Sequence, residues 1–136
     1  AAPFVEENQP RIMLHGSDVF LRPKMALSLT MAFHELITNA VKYGALSATA
    51  GRVSVRWSVE TAKSGSPELA IAWTEENGPP AKRPQRAGFG LRMIERGLPR
   101  EVSAAVAMDF AKEGLRTAIR IPLPTTSWSS PETGTD

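Results

Sequence analysis

One stretch of about 20 residues constrains the fold more than any other part of this 136-residue chain. Between Lys24 and Tyr43, apolar residues recur at steps of three and four, which places them on one face of a helix. This stripe consists of Leu29, Phe33, Leu36 and Ala40. Pro23 precedes the pattern and Gly44 follows it, as expected for a helix start and a glycine C-cap. The pattern predicts a helix of about 30 Å with one buried face.

Several shorter segments alternate apolar and small or polar residues, which is typical of strands with one buried face. They are residues 53–59, 69–73, 106–110 and 117–121. The turn-rich connector 62–67 predicts that the first two form an antiparallel hairpin. Nearer the N-terminus, residues 11–14 and 19–21 flank a His-Gly-Ser-Asp turn and predict another hairpin. A second helical pattern covers residues 91–98, and we expect Pro99 to end it.

Helical and strand patterns are mixed without a regular βαβ alternation. This favours an α+β two-layer sandwich, with a mostly antiparallel sheet covered by helices on one face. We expect a lead-in at residues 1–10, one folded domain at 11–123 and a disordered tail at 124–136, which is rich in Ser and Thr.

Composition excludes several classes of function. The chain has no cysteine and only two histidines, which argues against disulfides, thiol catalysis and zinc sites. No apolar run is long enough to cross a bilayer, and the first residues do not resemble a signal peptide, so we expect a cytoplasmic domain. The net charge of +2 suits a phosphate-bearing ligand but is too small to indicate nucleic-acid binding.

The long helix carries a polar face beside its apolar stripe. Glu35, Asn39, Lys42 and Tyr43 share this face. It is either an ordinary solvated surface or a site for a polyanion and a metal. In the second case the Asn39 carboxamide can bind Mg²⁺ and Lys42 can contact a phosphate. Tyr43 would offer an aromatic face to a base.

A second candidate lies at the end of the segment that contains Trp73. Glu75 is in phase with the apolar residues of that segment, so its carboxylate points to the buried side. A buried carboxylate needs hydrogen-bond donors, which either a ligand amino group or a local turn can supply. Gly78 follows, where the lack of a side chain leaves room for a flat ring.

The third candidate is the loop 77–90, which contains prolines, glycines and basic residues and ends in Gly88-Phe89-Gly90. Glycines at a helix N-terminus let backbone N–H groups approach phosphate oxygens, although a simple hinge would use the same residues. Arg92 follows within the helix and favours bidentate phosphate binding. We expect this loop to behave as a mobile lid.

Three motifs in one order resemble the HWE family of bacterial sensor histidine kinases. Residues 34–47, HELITNAVKYGALS, resemble the N box; residues 73–75, WTE, resemble the W-x-E motif; and residues 88–96, GFGLRMIER, resemble the second glycine box. The three residues that give the family its name correspond to His34, Trp73 and Glu75. The resemblance covers about residues 11 to 122.

The resemblance implies the Bergerat ATP-binding fold and ATP with Mg²⁺ as ligands. It makes Asn39 the Mg²⁺ ligand, Lys42 a phosphate contact and Tyr43 a residue beside adenine. It also implies that Glu75 accepts a hydrogen bond from the adenine amino group. Gly88 and Gly90 would hinge the lid and hold the phosphates. Glu35 stands where related ATPases keep a general base.

Two features qualify this resemblance. The family usually has Gly-Gly-Pro after W-x-E, whereas the first glycine is replaced here by Asn77, a residue that tolerates left-handed geometry. Neither His15 nor His34 resembles a phosphoacceptor. His34 either orients the lid or a loop or simply packs, and we favour packing. The resemblance therefore implies a catalytic domain that transfers the γ-phosphate of ATP to a histidine outside this chain. It also implies partners, namely upstream dimerisation and phosphoacceptor helices of the same protein and a response regulator. The open alternatives are a non-catalytic ATP-binding switch and a gyrase-type ATPase.

Overall fold

The computed structural model describes residues 10–84 and 89–124. The elements, in chain order, are β1 (Ile12–His15), α1 (Pro23–Lys42), a 3₁₀ turn (Ala45–Ser47), β2 (Arg52–Thr61), β3 (Pro67–Glu76), α2 (Phe89–Arg92), a π-helical turn (Met93–Gly97), α3 (Leu98–Val102), β4 (Ala105–Ala111) and β5 (Gly114–Pro122). They form an α+β domain, which confirms the predicted fold class.

The five strands form one sheet in the order β1-β2-β3-β5-β4. The pairs β2–β3, β3–β5 and β4–β5 are antiparallel, whereas the edge strand β1 runs parallel to its neighbour β2. The central strand β3 is therefore hydrogen-bonded on both sides. Alternation in β5 buries Ile119 and Ile121 and exposes Ala118 and Arg120, so one face of the sheet is covered and the other is open.

Helix α1 covers the buried face. Leu36 and Ala40 are fully buried against the sheet, and Leu29 is 5% exposed. Pro23 begins the helix in its first turn, as predicted, but Tyr43 rather than Gly44 forms the C-cap. Gly44 has a φ of −106°, so it does not adopt the left-handed conformation expected of a glycine C-cap.

The predicted hairpin near the N-terminus is wrong. β1 pairs with β2 instead, and residues 19–21 form no strand. The reason is Trp57 of β2, whose indole N–H donates to the carbonyl of Ser17 at 2.8 Å. A side chain at Gly16 would overlap the same indole ring. The turn is thus held against β2, while Val19 and Leu21 pack on the core.

Pro99 does not end the second helical segment, contrary to the prediction. α2, the π-helical turn and α3 follow one another without a break from residue 89 to residue 102. Pro99 lies in the first turn of α3, directly after the π-helical turn. The helix ends instead at Ser103, which has a left-handed φ of 60°.

Candidate functional site

A buried carboxylate lies where the end of β3 meets the turn after α1. Glu75 is 4% exposed, which confirms that its side chain points to the covered face. Its Oε1 accepts a hydrogen bond from the backbone N–H of Ala45 at 2.9 Å, and its Oε2 accepts one from the indole N–H of Trp73 at 2.9 Å. These two neutral donors offset part of the cost of burying the carboxylate.

The turn after α1 is packed directly on this carboxylate. A Cβ at Gly44 would overlap Glu75 Oε1 and lie 3.3 Å from its Cδ. The glycine is therefore required by close approach rather than by backbone conformation.

Gly78 has a similar role, which differs from the predicted one. A Cβ at this position would overlap the Cα of Ala45 and lie 3.1 Å from its backbone nitrogen. The space left by its missing side chain was predicted to admit a flat ring, but the backbone of Ala45 fills it. Gly78 thereby lets the segment after β3 lie against the turn that donates to Glu75.

The polar face of α1 runs from this carboxylate toward the start of α2. Asn39 is half-buried, Lys42 is exposed, and the Tyr43 side chain is 69% exposed at the C-cap. Glu35 is half-buried, and a Cβ at Gly90 would overlap its Oε1 and lie 2.7 Å from its Cδ. The rise from Glu35 to Tyr43 is about 12 Å, at 1.5 Å per residue.

The three predicted regions, which are the polar face of α1, Glu75 and the glycine-rich motif, thus lie next to one another along α1. Glu75 lies at the C-terminal end of the α1 polar face, and Gly90 of the glycine-rich motif lies against Glu35 farther back along it. Arg92 is exposed in α2. Gly88 lies outside the described residues. The side chain of His34 is 76% exposed, with its Nδ1 3.8 Å from Glu35 Oε2, so the predicted packing role for His34 is wrong.

Asn77 adopts the backbone conformation that a glycine would supply. Its φ is 61°, in the left-handed region where asparagine is one of the tolerated residues. The turn after Glu75 therefore forms despite the departure from the usual motif.

The first half of the predicted lid is anchored. The amide of Ala81 donates to the carbonyl of Ala111 at 3.1 Å. The Arg83 guanidinium pairs with the Glu95 carboxylate and lies 5.0 Å from the ring centroid of Phe110. The hydrogen bond that Arg83 donates to the Glu95 carboxylate raises the pKa of Arg83. Residues 77–84 are thus tied to β4 and the π-helical turn, and residues 85–88 lie outside the described residues.

One polar residue of this region is not among those predicted from the sequence. Thr117 on β5 is 2% exposed, and its hydroxyl has no hydrogen-bond partner among the described residues. It pairs in register with Trp73, so it lies on the same face of the sheet as Glu75. A polar residue in the buried phase of an otherwise apolar strand is the signal that could have identified it.

Two cavities of about 490 Å³ each lie elsewhere. One is on the open face of the sheet around Arg56 and Arg120. The other is apolar and lies between β1, the first half of α1 and the sheet, where Phe33 and Trp73 form part of its wall. No group of three or more His, Asp or Glu side chains that could hold a metal occurs within residues 10–84 and 89–124. In the same residues, no helix is long and apolar enough to cross a membrane.

No protein-family model matches the chain. Curated relatives do: it is 35% identical over 122 residues to the blue-light-activated histidine kinase of Brucella melitensis and 36% identical to that of Brucella anthropi. Each match covers 90% of this chain but 25% of the relative, so the chain spans a quarter of the length of these proteins.

Solved structures agree on the fold. The histidine kinase domain of the Erythrobacter litoralis EL346 blue-light activated histidine kinase matches with a TM-score of 0.63 at 18% identity, over 83% of this chain and 51% of that one. The catalytic domain of histidine kinase ThkA matches at 0.59 and 12% identity, over 82% of this chain and 77% of that one. This chain is a relative of sensor histidine kinases and has the fold of their catalytic domain. The motif resemblance to the HWE family agrees with both comparisons.

Proposed function

We propose that this chain binds ATP with Mg²⁺ and is the catalytic domain of a cytoplasmic sensor histidine kinase. In this proposal it transfers the γ-phosphate of ATP to a histidine outside the chain. The observation that carries the proposal is the position of Glu75 and Gly90 along the polar face of α1. A buried carboxylate and a glycine-rich helix start along one surface support a site that would take a base at one end and phosphates at the other.

Glu75 would accept a hydrogen bond from the exocyclic amino group of adenine. A carboxylate has about four acceptor positions, and Ala45 and Trp73 use one on each oxygen. The unpartnered hydroxyl of Thr117 lies on the same face of the sheet and would supply a further polar contact to the base. Tyr43 would flank the ring from the C-cap of α1. Gly78 would contribute through its packing on Ala45.

The phosphates would lie toward Gly90. The Asn39 carboxamide oxygen would hold Mg²⁺, a hard cation that prefers oxygen ligands. When bound, the ion would neutralise charge that develops on the phosphate oxygens. Lys42 and Arg92 would contact phosphate oxygens as cations, and Gly88 and Gly90 would present backbone N–H groups.

Glu35 would act as the general base. Its carboxylate lies against Gly90, at the phosphate end of the polar face, and is 3.8 Å from the His34 ring. There it would take the proton of the attacking imidazole as the P–N bond forms and the bond to the ADP oxygen breaks. The phosphoacceptor histidine would come from upstream dimerisation helices, and a response regulator would receive the phosphate from that histidine.

Nucleotide titrations test the binding part of this proposal. Calorimetry should show that ATP–Mg²⁺ binds the wild-type chain and that GTP binds at least about tenfold more weakly, because a carboxylate repels the guanine carbonyl oxygen. Asn39→Ala should abolish most of the Mg²⁺-dependent affinity with little change in the melting temperature. Thr38→Ala, which alters the adjacent residue of α1, is the matched control. Unchanged ATP–Mg²⁺ affinity in Asn39→Ala would exclude the metal role.

A second experiment separates the kinase from the open alternatives. The longer protein should incorporate label from γ-labelled ATP in an acid-labile form, as expected of phosphohistidine. Sustained phosphate release by the chain alone would favour a gyrase-type ATPase. ATP binding by the longer protein with neither labelling nor hydrolysis would favour a non-catalytic switch.

A further inference from the structure

We propose that Trp73 is a positioning residue for Glu75, and that its indole N–H fixes the orientation in which the carboxylate accepts an adenine amino group. The inference rests on the proposed function, because it concerns how the proposed adenine acceptor is held. It assigns the tryptophan a polar role in addition to packing.

The contact is specific in geometry. Trp73 Nε1 donates to Glu75 Oε2 at 2.9 Å, while the Ala45 amide donates to Oε1 at 2.9 Å. The terminal torsion of a glutamate side chain is broad, so packing alone defines its orientation poorly. One donor on each oxygen fixes the plane of the carboxylate and therefore the direction of its remaining acceptor positions.

The donor itself is held rigidly. Trp73 is 1% exposed and lies on the central strand β3, paired with Val55 on one side and Thr117 on the other. Its ring stacks on that of Phe33, with ring centroids 6.2 Å apart and an interplanar angle of 25°. Because Trp73 and Glu75 are two residues apart on one strand, their side chains project from the same face. The indole N–H therefore cannot turn away from the carboxylate without displacing a core residue.

Position 73 favours tryptophan over phenylalanine for the same reason. A phenylalanine can fill much of this apolar site and stack on Phe33, but it has no donor for the carboxylate. One Glu75 oxygen would then lose its partner, and the carboxylate would rotate or draw water into the site. The consequence would fall on the contact to the base amino group rather than on the phosphate contacts.

The experiment compares two nucleotides that differ by the amino group alone. ATP and purine riboside triphosphate, which lacks that amino group, are titrated into the wild-type chain and into Trp73→Phe. The dissociation constant of the purine analogue divided by that of ATP should fall about tenfold in Trp73→Phe, because ATP loses affinity and the analogue does not. Trp57→Phe is the matched control, since Trp57 lies on the same sheet face but donates to the carbonyl of Ser17. It should leave the ratio unchanged.

A second substitution covers the case in which Trp73→Phe does not fold. Incorporation of 3-benzothienylalanine at position 73 keeps the bicyclic shape and replaces the N–H by sulfur, and it should lower the ratio in the same way. An equal loss of affinity for both nucleotides in a folded variant, or an unchanged ratio, would overturn the positioning role of Trp73. The proposed function as an ATP-binding domain would not be affected by that result. A wild-type chain that binds neither nucleotide would overturn the proposed function, and this inference with it.

Discussion

Gly44 and Thr117 show how single residues shape the region around Glu75. Gly44 has no side chain because the carboxylate occupies the space where a Cβ would lie. Thr117 keeps a hydroxyl in a buried position where valine would fit equally well. Substitutions at these two positions therefore test the proposed role of this region in ligand binding.

Gly44→Ala should displace the Glu75 carboxylate from the Ala45 amide. We expect the affinity for ATP to fall by about tenfold or more, because a charge-assisted hydrogen bond is lost next to the proposed base site. Calorimetry measures the change. Gly97→Ala is the control, since a Cβ there meets the flexible end of Met93 at 3.0 Å. Wild-type affinity in Gly44→Ala would show that the carboxylate does not contact the ligand.

Thr117→Val should leave the free energy of unfolding unchanged or raise it by about 1 kcal/mol, since it removes a buried hydroxyl without a partner among the described residues. The same variant should bind ATP more weakly. Chemical denaturation and calorimetry on one preparation measure both effects. A clear loss of stability with unchanged ATP affinity would contradict the proposed role.

At the scale of elements, the segment after β3 differs from the mobile lid that its sequence predicts. Prolines and glycines prevent regular structure there, but Ala81 and Arg83 are anchored to β4 and Glu95. Side chains that are distant in sequence supply these contacts. We therefore expect the Gly90 end of the loop, rather than Ala81, to respond to nucleotide.

Hydrogen exchange tests this division. The Ala81 amide, which is bonded to the Ala111 carbonyl, should be protected before nucleotide is added. ATP–Mg²⁺ should slow exchange at residues 90–92 and change Ala81 little. Arg83→Ala should speed exchange at Ala81, whereas Lys82→Ala, which alters an exposed neighbour, should not. An Ala81 amide that is unprotected without nucleotide and protected with it would instead support the prediction that all of residues 77–90 act as a mobile lid.

For the whole molecule, an ion-pair cluster holds the end of the sheet opposite to Glu75. Arg120 on β5 pairs with Glu60 at 3.0 Å and with Glu68, near the β2–β3 turn. Hydrogen bonds from Ser58 and then from Arg120 lower the pKa of Glu60 below its ordinary value of 4.5. Because the pKa of Glu60 is lower in the folded state than in the unfolded state, its contribution to stability is present above pH 4.5. That contribution is lost as the pH falls through the lowered value.

Urea unfolding between neutral pH and about pH 3 measures this contribution. Glu60→Gln should reduce the part of the stability that is lost in acid. Added salt should reduce the same part in the wild type, because the ion pair is exposed and salt screens it. ATP affinity at neutral pH should not change, since the cluster and Glu75 lie at opposite ends of β3. An acid-unfolding profile identical to that of the wild type would show that the ion pair does not stabilise the fold.

Short-range periodicity in the sequence was sufficient to predict α1, the β2–β3 hairpin, the α+β class and the burial of Glu75. These features follow from the 3.6- and 2-residue repeats of apolar side chains, which depend on local geometry. The order of the motifs was also sufficient to indicate the histidine kinase resemblance. Their proposed nucleotide contacts stay predictions.

Only the tertiary structure decided which distant groups meet. Trp57 holds the turn after β1, so that strand joins β2 in parallel rather than forming a hairpin. Ala45 and Trp73 supply the donors for Glu75, and Glu35 lies against Gly90. Except for the contact between Trp73 and Glu75, which are neighbours on β3, these contacts join residues far apart in the chain, and they depend on how α1 and the strands pack in space. The periodicity of a sequence records which face of an element is buried, but it does not record which neighbour covers that face.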